Sequence, residues 1–380
     1  MALVKMQDML QHAYENQYAV GAFDVVSLEL LQGVINAAEA SRSPVIIGLS
    51  EPHLEYVDIE LLAPAVEAAA RRCTVPVAIH YDHGSGVEGA VRGIRHGCNG
   101  VMVDASHRSL QENIDCTKEV VKMAHACDIP VEAELGYVPD DGKDLVFTPV
   151  EEARGFVRLT GVDFLAVSIG TVHGRLDGKP RIDYQRLRNI NEALQIPLVL
   201  HGSSGLSDDQ FRKLIANGIA KVNYFTAITD RAAELMRGNA RDADDGYLKL
   251  FAGVREGVEQ EAMRLLRTWG SAGRAAEVME QCNSWQGVEY TLKFDLTSVD
   301  NAKSPIFSSH DHKMLSKIPG VNEVTVGEVS NDNESKSYCW QFRLASSSVV
   351  ESLKQHQDYI KFVQNYQGDE TIEKSVVSFQ

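Results

Sequence analysis

Residues 75–84, VPVAIHYDHG, are an apolar run that delivers His80, Asp82 and His83 to its end and stops at Gly84. An apolar run without helical spacing reads as a strand buried on both faces, the kind found in parallel sheets covered by helices. Two later runs end the same way: FLAVSIGTV leads into His173 and Gly174, and PLVL leads into His201 and Gly202. Three imidazoles brought to one rim are what a catalytic zinc takes, because such sites use three protein ligands and keep a position for substrate.

Working outward, runs of this kind recur with helix-period segments between them. They are VGAFDV from Val20, PVIIGLS from Pro44, PVAIHYDH from Pro76 and GVMVDAS from Gly100, then PVEAELG from Pro130, FLAVSIG from Phe164, PLVLHG from Pro197 and KVNYFT from Lys221. Eight strand-helix units predict an α/β fold, a (β/α)8 TIM barrel. A doubly wound open sheet would want a glycine-rich phosphate turn after the first strand, and the residues from Asp24 to Ser27 do not supply one. Nearly every run ends in a chemically useful group: Asp24, Ser50 and Glu51, Asp82 and His83, Asp104 and Ser106, Glu134, His173, His201 and Ser204, then Asn223 and Thr226. That is the rim where barrel enzymes place their sites.

After about residue 280 the pattern changes. Val288, Tyr290, Leu292, Phe294 and Leu296 alternate with polar residues, as do Tyr338, Trp340, Phe342 and Leu344. With helix-like stretches near 300–318 and 347–366, a strand at 321–330 and another near 375–380, the order β-α-β-β-α-β predicts a small ferredoxin-like α+β domain. The expected division is a barrel over 1–282 and this second domain over 283–380.

A formal net charge of −16 argues against a nucleic-acid or anionic-membrane surface. The six cysteines show no paired spacing and read as free thiols of a reducing compartment. The N-terminal stretch is an amphipathic helix pattern without a signal-peptide core, and no stretch reaches the length of a membrane span. The expectation is a cytoplasmic protein.

Most histidines are ordinary hydrogen-bonded or surface residues, and His12, His53, His96, His107, His125, His310, His312 and His356 are read that way. His83, His173 and His201 are read as zinc ligands, while His80 reads equally as a core residue or as a partner of one. Asp82 is placed as an acid/base, the alternative being that it orients an imidazole. Glu134, with Glu132 two residues earlier on the same face, is a candidate alternate metal ligand; the plain reading is a carboxylate satisfied by a barrel lysine or arginine. The turn 201–205, HGSSG, precedes a helix after the seventh strand, where barrels bind phosphate through backbone N–H groups.

Together HYDHG, VEAELG, GTVHG, HGSSGLSD and KVNYFT resemble, in order, the motifs of the zinc-dependent class II ketose-bisphosphate aldolases, over roughly residues 1–280. The resemblance implies that His83, His173 and His201 hold Zn2+ and that Asp82 handles the proton of the hydroxyl at the bond being cleaved. It implies that Asp104 and Glu134 can hold a displaced or second metal. It also matches Gly174, Gly202, Ser204, Asn223 and Thr226 to the cradle of the ketone-side phosphate, often helped by a monovalent cation (Na+ or K+); Ser50 joins these as a candidate substrate contact. The implied chemistry is cleavage through a zinc-stabilised enediolate with no lysine Schiff base.

The chain departs from that family in several places. Asp24 stands where asparagine is usual, Ser50-Glu51-Pro52 replaces a glycine-richer turn, and Phe225 occupies a position often held by aspartate or alanine. The loop after Leu135 is shorter than the family's mobile loop and lacks its glutamate, for which Asp140 or Asp141 is the candidate substitute. The C-terminal stretch resembles the stress-responsive dimeric α+β barrel domain, which implies pairing of two copies and a homo-oligomer. The reading is an aldolase acting on a phosphorylated sugar and yielding dihydroxyacetone phosphate and an aldehyde. Alternatives are an aldolase for a phosphorylated deoxy-keto sugar acid and a catalytically impaired sugar-phosphate-binding scaffold.

Overall fold

The computed structural model describes residues 2–138, 145–174, 181–241, 246–296, 309–330, 336–366 and 372–378. Eight strands, β1 (Val20–Asp24), β2 (Val45–Ser50), β3 (Val77–Gly84), β4 (Gly100–Val103), β5 (Val131–Leu135), β6 (Phe164–Val167), β7 (Leu198–Leu200) and β8 (Ile219–Tyr224), pair in parallel and in chain order. β8 returns to β1 and closes the barrel. The expected TIM barrel is therefore present.

Helix α1 (Met6–Glu15) precedes the barrel. The crossovers are α2 (Leu28–Ser41), α3 (Ile59–Arg72), α4 (Val87–Arg95), α5 (Leu110–His125), α6 (Val150–Thr160), α7 (Tyr184–Leu194) and α8 (Asp208–Ile215), and α9 (Thr226–Asn239) follows β8. Three further helices, α10 (Tyr247–Leu250), α11 (Val254–Thr268) and α12 (Ala275–Gln281), end this part of the chain. Local chemistry sets the helix starts: Ser109 and Ser207 each form a capping box, with Glu112 and Gln210 respectively, and Ser27 and Asp58 cap α2 and α3.

One end of the barrel is plugged. Met6, Met9, Leu10 and Ala13 of α1 pack against Val20, Ile46, Ala78, Phe164 and Val199, which fill the strand-start end. Apolar burial is the driving term there, and it leaves the carboxyl ends of the strands as the open rim.

The C-terminal strands β9 (Val288–Leu296), β10 (Val321–Ser330), β11 (Lys336–Leu344) and β12 (Ile372–Ser378) form an antiparallel sheet in the order β10-β11-β9-β12, the ferredoxin-like arrangement. Helices α13 (Ser309–Leu315), α14 (Ser348–Gln355) and α15 (Gln357–Tyr366) complete it; the first part of the helix expected near 300–318 lies outside the described residues. The alternating apolar positions fall out differently from expectation. Tyr290, Leu292, Trp340, Phe342 and Leu344 are buried with Val349, Leu353, Tyr359 and Phe362 of the domain's own helices. The opposite face carries Glu289, Thr291, Lys293, Gln341 and Arg343. These described apolar side chains are thus covered within the domain; those of Phe294, Leu296 and Tyr338, which belong to the same alternating pattern, lie outside the described residues.

This sheet docks away from the rim. Trp285 N donates to the Leu3 carbonyl (2.9 Å), Ser346 Oγ donates to the Cys127 carbonyl (2.8 Å), and Arg343 pairs with Glu67 of α3. Leu3 bridges to Val77, the first residue of β3, so the anchor is at the plugged end. No helix among the described residues is long and apolar enough to cross a membrane.

Candidate active site and metal centre

At the open rim His83, His173 and His201, from the ends of three different strand units, face one another. His201 Nδ1 lies 3.1 Å from His83 Nε2 and 3.4 Å from His173 Nε2. Each ring's other nitrogen is committed elsewhere: His83 Nδ1 to Asp104 Oδ2 (2.8 Å), His173 Nδ1 to the Val138 carbonyl (2.9 Å) and His201 Nε2 to Glu132 Oε1 (3.0 Å). Because those partners are acceptors, they assign the N–H to the outer nitrogen of each ring and turn three lone pairs toward one point. Tetrahedral zinc with Zn–N bonds of about 2.0–2.1 Å separates its ligand nitrogens by about 3.3 Å. The donor set therefore fits the metal expected from the sequence.

Sequence alternation alone would send Asp82 and His83 to opposite sides. The backbone resolves this: His83 has φ +49°, and the β3–β4 register shifts between Tyr81 and Gly84. That bulge re-aims His83 while Asp82 stays inside the barrel. Asp82 Oδ1 accepts a hydrogen bond from Asn223 Nδ2 (2.9 Å), and Oδ2 sits 3.5 Å from His83 Nε2.

Electrostatics pull the groups of the site in different directions. Burial would raise the Asp82 carboxyl, but His83, Lys221 and His201 outweigh it and hold Asp82 well below the usual carboxylate range. Burial likewise opposes charge on His83, yet Asp82 and Asp104 push its proton affinity up to about 10. His173 is pushed down to about 3 by burial and by the two neighbouring imidazoles. Burial and the Asp104 charge push Glu134 up to about 8; its Oε1 accepts from Val138 N (3.2 Å) and its buried Oε2 has no hydrogen-bond partner. His83, Asp104 and Glu134 form a second group able to hold an ion.

Beneath the triad lies a network that sequence reading missed. Lys221 Nζ donates to Glu132 Oε2 at 2.6 Å, both residues fully buried, while the other Glu132 oxygen takes His201. The lysine expected for Glu134 goes instead to Glu132. Glu132 and Glu134 share a strand face by period-two spacing, but only the register across the barrel tells which meets Lys221. His80 is buried beside Glu132 Oε2 (3.5 Å) and Asp82 Oδ1 (3.7 Å), and burial followed by the Lys221 charge pushes it down to about 3.

A rim cavity is lined by Asp24, Asp82, the three histidines, Gly174, Gly202, Ser204, Asn223, Phe225 and Thr226. Gly202 has φ +63°, and a Cβ there would lie 2.4 Å from the Val172 carbonyl oxygen, so only glycine fits this turn. Ser204 Oγ accepts from Ala227 N (3.2 Å) at the start of α9. Ser50 does not line the cavity; it is buried at the end of β2, in register with Asp82. Glu51 is spent on structure, accepting from Ser85 N and Oγ and from Tyr81 Oη. Asp140 and Asp141 lie outside the described residues. Burial and the facing Asp82 raise the Asp24 carboxyl well above its ordinary value, at the position where the family resemblance has asparagine.

Residues 4–274 match the family model described as fructose-bisphosphate aldolase class-II. The chain is 36% identical over 291 residues to a fructose-bisphosphate aldolase of Geobacillus stearothermophilus, covering 73% of this chain and all of that protein. It is also 36% identical over 288 residues to a 6-phospho-5-dehydro-2-deoxy-D-gluconate aldolase of Bacillus subtilis, covering 73% of this chain and 99% of the relative. Among solved structures, the YdjI aldolase from Escherichia coli K12 superposes with a TM-score of 0.66 at 36% identity, over 72% of this chain and 99% of that one. The family match ends before the C-terminal sheet.

Proposed function

Because the chain belongs to the class-II fructose-bisphosphate aldolase family, we propose that it is a metal-dependent lyase cleaving a phosphorylated ketose to dihydroxyacetone phosphate and an aldehyde, or joining them in reverse. The observation that carries the reading is the convergence of three imidazole nitrogens at 3.1–3.4 Å beside a carboxylate fixed by Asn223. His83, His173 and His201 hold the ion, which we take to be zinc. Held by these three residues, zinc would supply Lewis-acid polarisation of the ketose carbonyl.

The chain's own residues do the rest. Asp82 accepts the proton of the hydroxyl on the carbon that becomes the aldehyde; the C–C electrons pass to the ketone side, giving the enediolate of dihydroxyacetone phosphate. Asn223 holds Asp82 Oδ1, leaving Oδ2 free to take that proton. Gly174, Gly202, Ser204, Asn223 and Thr226 cradle the phosphate, using backbone N–H groups around the start of α9. Asn223 Oδ1 is buried without a partner and suits a monovalent cation beside that phosphate. Asp104 orients His83, and Glu134 is the alternate ligand for an ion displaced from the triad. Lys221 does not serve as an imine-forming amine, because its Nζ is buried and taken up by Glu132 at 2.6 Å.

We assign residues 1–282 to the catalytic barrel and 283–380 to a separately folded unit. Free cysteines among the described residues fit a reducing, cytoplasmic setting. A homo-oligomer remains part of the proposal. A coupled assay for dihydroxyacetone phosphate over a panel of ketose phosphates tests the function. Release from at least one ketose 1-phosphate is expected, and no release from any of them would leave the scaffold reading standing.

A further inference from the structure

Two relatives of equal identity to this chain differ by name in one chemical respect: the substrate of one is a bisphosphate, and that of the other carries a single phosphate. The acceptor end of this site bears on that difference. The phosphate cradle comes from the ends of β6, β7 and β8. Around the closed barrel the next strands, β1 to β3, bring Asp24 and Asp82 to the cavity. Phe225 lines the same cavity, and the ring of His53, from the turn after β2, lies against it with centroids 4.0 Å apart and planes 30° apart. Phe225 stands where the family resemblance leads one to expect aspartate or alanine.

No arginine or lysine lines the cavity among the described residues. Lys221, the cation nearest below it, is fully buried and consumed by Glu132. Burial lowers the His53 proton affinity and so disfavours a cation there. A second phosphate at this end would therefore meet the Asp82 carboxylate and a phenyl ring, with no lysine or arginine of the described residues beside it. His53 does not itself line the cavity; it backs the Phe225 ring, and its enclosed Nδ1 has no hydrogen-bond partner.

We propose that the acceptor of this enzyme is a short hydroxylated aldehyde without a phosphate, received against the Phe225–His53 wall. The inference rests on the aldolase reading, and Phe225 and His53 act as specificity residues within it.

The test runs the zinc-loaded full-length enzyme in the joining direction, with dihydroxyacetone phosphate and either DL-glyceraldehyde or DL-glyceraldehyde 3-phosphate. The expected kcat/KM ratio favours glyceraldehyde by about tenfold or more, and Phe225→Ala and His53→Ala each bring it to within about threefold of unity. The KM for dihydroxyacetone phosphate reports the other end of the pocket and should move by less than about threefold, which separates a lost wall from a damaged fold. If the alanine variants do not fold, Phe225→Leu and His53→Gln replace them. Parity or preference for the phosphorylated aldehyde in the wild type overturns the inference, as does an unchanged ratio in the variants. Turnover of neither aldehyde removes the aldolase reading itself, and this inference with it.

Discussion

Asp82 is gripped by Asn223 on one oxygen and faces the histidine cluster with the other, so its contribution is separable from that of the metal. Asp82→Asn keeps the shape and removes the base; kcat should fall by about 10²–10⁴-fold while metal analysis still finds zinc. Turnover equal to wild type would reduce Asp82 to an orienting role. Glu132 offers a second test, because it both aligns His201 and neutralises Lys221. Glu132→Gln should weaken zinc binding by about 10–100-fold in chelator competition and cost about 3–5 kcal/mol by leaving Lys221 buried without its counter-charge. Adding Lys221→Met should recover much of that stability but not the zinc affinity. If stability and affinity recover together, the Glu132–His201 contact does not tune the metal. The histidines, Asp82 and the glycine turns were legible in sequence because each closes an apolar run. Glu132, Lys221 and His53 were not, since their partners depend on register and loop approach across the barrel.

At the scale of elements, the eight strands were readable because both of their faces are buried, which leaves apolar runs without alternation. The bulge at His83 was not readable, because a single φ of +49° has no compositional mark when the residue is not glycine. The alternating pattern of β9 and β11 was read correctly as strands, but alternation does not say what covers the apolar face; α14 and α15 do. Helix α1 plugs the barrel with fully buried Met9. Met9→Ala should cost about 2–5 kcal/mol in denaturant unfolding and leave zinc content unchanged, since it lies at the end opposite the site. Loss of metal in that variant would show that the plug shapes the rim. At the end of α5, the Asp163 hydrogen bond raises His125 above its ordinary value. A raised folded value means the pair stabilises fully below about pH 6.5 and loses its contribution as pH rises through the folded value. The side chain is 42% exposed, so the effect is below about 0.5 kcal/mol. His125→Ala should flatten the unfolding free energy across that window, and an unchanged slope would show the pair to be silent.

For the whole molecule, the C-terminal sheet is tied to the plugged end through Leu3, Cys127 and Glu67, and its second face is polar, with Arg343 on that face reaching Glu67. Truncation after residue 282 should therefore leave both the zinc content and the number of chains per particle unchanged by light scattering; a fall in assembly mass would return the dimerising role to that sheet. The central claim is that His83, His173 and His201 form one metal site on which turnover depends. It is tested most directly by titrating zinc into chelator-stripped protein, with bound metal and dihydroxyacetone phosphate release measured on the same samples, for the wild type and the three single His→Ala variants. The account predicts activity rising with metal to a plateau at one ion per chain in the wild type, and neither stoichiometric metal nor turnover in any variant. Full turnover by metal-free wild type, or stoichiometric zinc retained in all three variants, would contradict it.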